Sequence, residues 1–129
     1  MDYASTTASN ALDHPQKLAK LLFMLQNENI EIDSRIRSGL QGDDKIDGIG
    51  QGILTALLHT FDNEKYGVWN SRTTDTLRKL HRPPLPSDDL GESYKRVNRT
   101  LTELAEELKS DLTTLDGFMW FISKNYDFL

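Results

Sequence analysis

The chain has 129 residues, 37% hydrophobic and 27% charged, with a net charge of −5 and no cysteine. That suits one domain around one core. It excludes disulfides and thiolate-held zinc or iron–sulfur centres, and the negative balance argues against coating nucleic acid through bulk charge.

Residues 1–10, Met1 to Asn10, are small and polar without period and read as a flexible tail; 11–129 read as a single helical domain. Asp13 can cap a first helix and Pro15 suits its first turn. Leu18, Leu21, Leu22 and Leu25 mark its buried stripe, which Phe23 and Met24 broaden, and the helix should end near Asn27 to Asn29. Asp33 or Ser34 can cap a short second helix containing Ile36 and Leu40, with Gly39 and Gly42 bracketing its end. A glycine hairpin, Gly48-Ile49-Gly50, leads to an apolar run in which Ile49, Ile53, Leu57 and Phe61 stand at helical spacing, widened by Leu54 and Leu58. Asp62 to Lys65 reads as a turn, Val68-Trp69 as briefly extended, and Asn70 as the start of a helix reaching Leu80.

The stretch 81–89, with Pro83, Pro84 and Pro86, is a rigid connection. Beyond it Leu90, Tyr94, Val97, Leu101, Leu104 and Leu108 alternate four and three apart, which predicts one long helix ending at Lys109-Ser110-Asp111. Too few heptads are present for a coiled coil, so packing within the chain is expected. Thr113 or Thr114 starts a last helix whose apolar face is Leu115, Phe118, Met119 and Ile122. Trp120 and Phe121 make that helix apolar nearly all round, so at least one of them should be exposed as an interaction surface for a homo-oligomer or protein partner. No segment alternates with period two. The expected fold class is all-α, a compact bundle of about five to seven helices.

No apolar run approaches the roughly 18 residues of a membrane span. The first residues carry no basic, apolar leader, so no export signal and a cytoplasmic location are expected. Asn98-Arg99-Thr100 has the form of a glycosylation acceptor, which without export has no use.

Chemistry-bearing patterns are few. His14, His59 and His81 form no paired ligand motif, so no metal and no cofactor is expected. No nucleophile elbow or Walker lysine is present. His59 reads as a partly buried, hydrogen-bonded histidine, and Tyr66 and Trp69 as core aromatics. At the hairpin, backbone N–H groups of the following helix, around Gly48, Gly50 and Gln51, could hold a phosphate, although Asp43, Asp44 and Asp47 oppose one. Arg72, Arg78, Lys79 and Arg82 stand against Asp75 alone, a candidate basic face.

Taken together, Ile46-Asp47-Gly48-Ile49-Gly50, the apolar helix, Val68-Trp69-Asn70-Ser71-Arg72 and Leu80 resemble the helix-hairpin-helix DNA glycosylases. The separation from Gly48 to Asn70 is the family's separation between its first glycine and its aspartate. The resemblance covers the middle of the chain and implies a helix-hairpin-helix-like glycine turn and DNA as a candidate partner. It implies no reaction. The family's aspartate is Asn70 here, which can cap a helix but carries no charge. The lysine nucleophile of the bifunctional members is Gly52. Two function classes therefore stand open. One is a non-catalytic glycosylase-like module that binds nucleic-acid backbone or works within a DNA-processing assembly. The other is a protein-interaction or homo-oligomerising helical domain. An active glycosylase using another carboxylate is the third and least favoured.

Overall fold

A computed structural model describes residues 13–125. The expected tail and the terminal Phe128-Leu129 lie outside them. Within the described residues the chain forms six helices and no strand: α1 Pro15–Gln26, α2 Ile32–Gln41, α3 Gln51–Phe61, α4 Ser71–Lys79, α5 Leu90–Glu107 and α6 Leu112–Asn125.

α2 packs against α1, α3 and most extensively α5, while α6 lies on α4 and α5. The long α5 therefore joins both groups, and every helix contributes to one core: Leu21, Ile36, Leu54, Leu77, Tyr94 and Leu115 are all buried in it. Each such side chain contributes about 1.5–3 kcal/mol relative to exposure.

Several local expectations are corrected. His14, not Asp13, is the N-cap of α1, with Pro15 first inside; no side chain caps it. Glu31 precedes α2, and neither Asp33 nor Ser34 caps it. Phe23 is 81% exposed, because it sits opposite Leu21 and Leu25, the two residues α1 turns inward. In α3 the buried residues are Leu54, Thr55 and Leu58. Ile49 is buried but precedes the helix, and Phe61, in the last turn, is 39% exposed. Leu108 is the C-cap of α5 and exposed. Asp111, rather than a threonine, caps α6: its Oδ1 accepts from Thr114 N at 2.7 Å. Phe118 lies at the edge of the α6 core face and is exposed, whereas Leu112 is buried.

A buried arginine ties α1, α2 and the centre of the chain together. Arg35 Nη1 donates to Leu25 O at 2.8 Å, Nε to Ile30 O at 2.9 Å and Nη2 to the Tyr66 hydroxyl at 2.8 Å. A cation at the carboxyl end of α1 complements its dipole. Glu28 stands 3.5 Å from Arg35 and 2.8 Å from Lys65. The hydrogen bond from Lys65 holds its carboxyl below the ordinary range, against partial desolvation.

Candidate functional site

The stretch from Lys65 to Asn70 crosses the interior without belonging to any helix, and Tyr66, Gly67 and Trp69 are buried. Buried irregular backbone needs partners for its polar groups, and here side chains supply them. Asn98 takes Gly67 N at 2.7 Å and donates to Lys65 O at 2.9 Å. Tyr94 donates to Gly67 O at 2.8 Å, and burial pushes its phenol well above its ordinary value. Thr55 Oγ1 accepts from Trp69 N at 2.8 Å. His59 Nδ1 meets Tyr66 O at 2.7 Å, and its Nε2 reaches Thr113 Oγ1 at 3.1 Å, so this histidine joins α3 to the crossing segment and to α6. The asparagine of the acceptor-like triplet therefore has both amide atoms engaged with this segment.

The crossing segment ends in a cap. Asn70 Oδ1 accepts from Thr73 N at 2.9 Å, while Asn70 N donates to Thr73 Oγ1 at 3.3 Å, a reciprocal capping box on α4. Thr73 Oγ1 also donates to Val68 O at 2.9 Å. Asn70 lies against the start of α3: a Cβ built on Gly52 would stand 3.3 Å from Asn70 Cβ. The fold thus brings together two positions far apart in sequence, and neither carries an ionisable group.

The glycine stretch occupies the connection 42–50. Ile49 N donates to Ile46 O at 3.1 Å, closing a turn in which Gly48 has φ 91°, a conformation glycine adopts without a Cβ penalty. Ile46 and Ile49 are both buried beneath it. Gly50 follows in extended conformation as the N-cap of α3, with no side chain capping the helix; Gln51 is its first residue. Of the neighbouring acids, Asp43 and Asp47 are exposed, whereas Asp44 turns inward. Its Oδ2 accepts from Ser38 at 2.7 Å, its Oδ1 is buried without a hydrogen-bond donor, and Lys20 stands 3.6 Å away.

The candidate cations each have an acidic neighbour. Arg72 lies 3.6 Å from Asp116 of α6. Arg78 and Lys79 both pair with Asp75, Lys79 at 3.2 Å and itself buried. The Arg78 hydrogen bond, then that of Lys79, holds the Asp75 carboxyl below the ordinary range. Arg82 grips Glu107 with two nitrogens, at 3.0 and 3.1 Å. The acids of the C-terminal half, read separately from these cations in sequence, are in part their partners.

Trp120 and Phe121 are 49% and 48% exposed, with Lys124 Nζ 5.7 Å from the Trp120 ring centroid. Among the described residues no group of three or more His, Asp or Glu could hold a metal ion, and no helix is long and apolar enough to cross a membrane. Sequence reading missed Arg35, Thr55, Tyr94 and Asn98 as organisers. Their types were visible, but their partners come from distant elements. Compared with protein-family models, curated proteins and solved structures, the chain has no match.

Proposed function

We propose that this chain is a non-catalytic helical module built on a glycosylase-like helix-hairpin-helix, and that it touches nucleic-acid backbone through the start of α3. One observation carries the reading: Gly52 abuts Asn70. In the family that the middle of the chain resembles, the aspartate activates the nucleophile, so finding its two counterparts side by side supports the reading. The N-terminus of α3 behind the Gly48 turn supports it further: its N-cap, Gly50, offers no side-chain oxygen, and first-turn N–H groups with the helix dipole favour an anionic oxygen there. Glycosidic cleavage needs a carboxylate or an amine at these positions, and asparagine and glycine supply neither.

Titration of a labelled duplex, across salt from low to physiological, tests the reading. Binding should weaken steeply with salt and be lost in Gly50→Asp, which sets a carboxylate at the proposed phosphate position. No binding at low salt, or binding indifferent to that variant, would refute it.

The pairing of Arg72, Arg78, Lys79 and Arg82 with acids favours a second reading, a protein-interaction domain without a nucleic-acid role. A cation that must leave an acid to meet a phosphate adds less to affinity than one that stands alone.

A further inference from the structure

We infer that the outward face of α6 pairs with the same face of a second copy of this chain, the two helices antiparallel. Phe118, Trp120 and Phe121 are 42%, 49% and 48% exposed on one fourteen-residue helix whose other side fills the core. Just before them on the same exposed side stands Gly117, where an added Cβ would meet nothing within 4 Å. Glycine is a poor helix former, and no packing inside the fold calls for one here. A notch in an exposed aromatic face suits close approach from outside.

Charge selects the occupant and its direction. Asp111 stands at the amino end of this face and Lys124 at its carboxyl end, both exposed. A parallel copy would set like charges together; an antiparallel copy sets Asp111 against Lys124 twice and opposes the helix dipoles. That register has paired residue numbers summing to the same value. It places Gly117 opposite Phe118 of the second copy, so each ring faces the other's notch, and Thr114 opposite Phe121. All of these residues are exposed. One register therefore satisfies charge and shape and covers Phe118 and Phe121, as a two-fold interface requires, with Trp120, whose counterpart is the buried Leu115, at its rim. This inference stands apart from the nucleic-acid reading and survives its failure.

Light scattering of the full chain from micromolar to sub-millimolar concentration should show a dimer that grows with concentration. Gly117→Leu should weaken association by about tenfold or more while raising the thermal midpoint of the dilute monomer, because it removes a helix-interior glycine. A residue with only an internal role would not split in that way. Lys124→Glu should also weaken the dimer. The chain has no native cysteine, so direction is testable by cross-linking: Ser110→Cys mixed with Asn125→Cys should give the mixed disulfide in preference to either self-pair. The cross-link decides the matter if Gly117→Leu fails to fold. A monomer at every concentration overturns the inference, whatever else covers the face. So does a dimer indifferent to both substitutions, or one in which Ser110→Cys pairs with itself.

Discussion

A cap needs only a short polar side chain before a helix, and both partners of the box, Asn70 and Thr73, lie within one turn. Replacing Asn70 by alanine should cost about 0.5–2 kcal/mol in chemical denaturation. Asn70→Asp should be neutral or slightly stabilising, since a carboxylate also suits the positive helix end. Neither the natural chain nor Asn70→Asp should excise bases from uracil, oxidised-guanine or alkylated duplexes. Alkaline gel analysis checks this, and turnover lost in a folded Asn70→Ala variant would show a working group. Arg35 is the contrary case. Nothing near it in sequence marks a buried cation, because its acceptors come from the end of α1, the following loop and Tyr66. Removing the guanidinium takes a donor from three acceptors at once.

Among elements, contacts between helices set the constraints. Gly91, in the first turn of α5, lies so close to α2 that an added Cβ would stand 2.3 Å from Asp33 O. The obstacle is backbone, which cannot rotate aside. Gly91→Ala should therefore destabilise by about 1–3 kcal/mol or more, despite the better helix propensity of alanine; a thermal midpoint at or above that of the natural chain would contradict the close packing. The end of α5 predicts the opposite sign. Lys109 has φ 51°, and Ser110 N reaches back to Ala105 O at 2.8 Å, a Schellman-type stop normally made with glycine. Lys109→Gly should stabilise by up to about 1 kcal/mol. The seven-residue spacing of α5 was legible because an amphipathic face repeats along one helix. Which residues of α1, α3 and α6 face inward was less so: Phe23, Phe61 and Phe118 are as apolar as their buried neighbours, and only the position of adjacent helices separates them.

For the molecule as a whole, surface pairs give stability a pH dependence. Glu28, Asp33, Asp75, Glu107 and Asp111 all have carboxyl pKa values lowered in the folded state, the first four chiefly by a hydrogen bond from a cationic side chain and Asp111 by the Thr114 backbone N–H. A carboxyl whose folded pKa is depressed favours the fold when ionised. Its contribution is complete above its ordinary value, 4.5 for the glutamates and 3.8 for the aspartates, and is lost as pH falls through the lower folded one. Urea denaturation should find stability falling from about pH 5 towards pH 3, with the loss smaller at high salt because the pairs are exposed. Stability that rises over that interval would contradict the pairing.

The sequence by itself determined that the described residues are helical, because helical periodicity and glycine stops are local signals that survive without a partner. It also placed the turn at Gly48, since only a few residue types tolerate that conformation. It could not show that the extended stretch 65–70 runs through the core. That arrangement exists only because Thr55, His59, Tyr94 and Asn98, from two other helices, satisfy its backbone. The tertiary structure alone decided that Gly52 lies against Asn70, that Arg72 and Arg82 reach acids of later helices, and that Phe23 and Phe118 are left outside. Each of these depends on distances between elements, and no spacing along the chain encodes them.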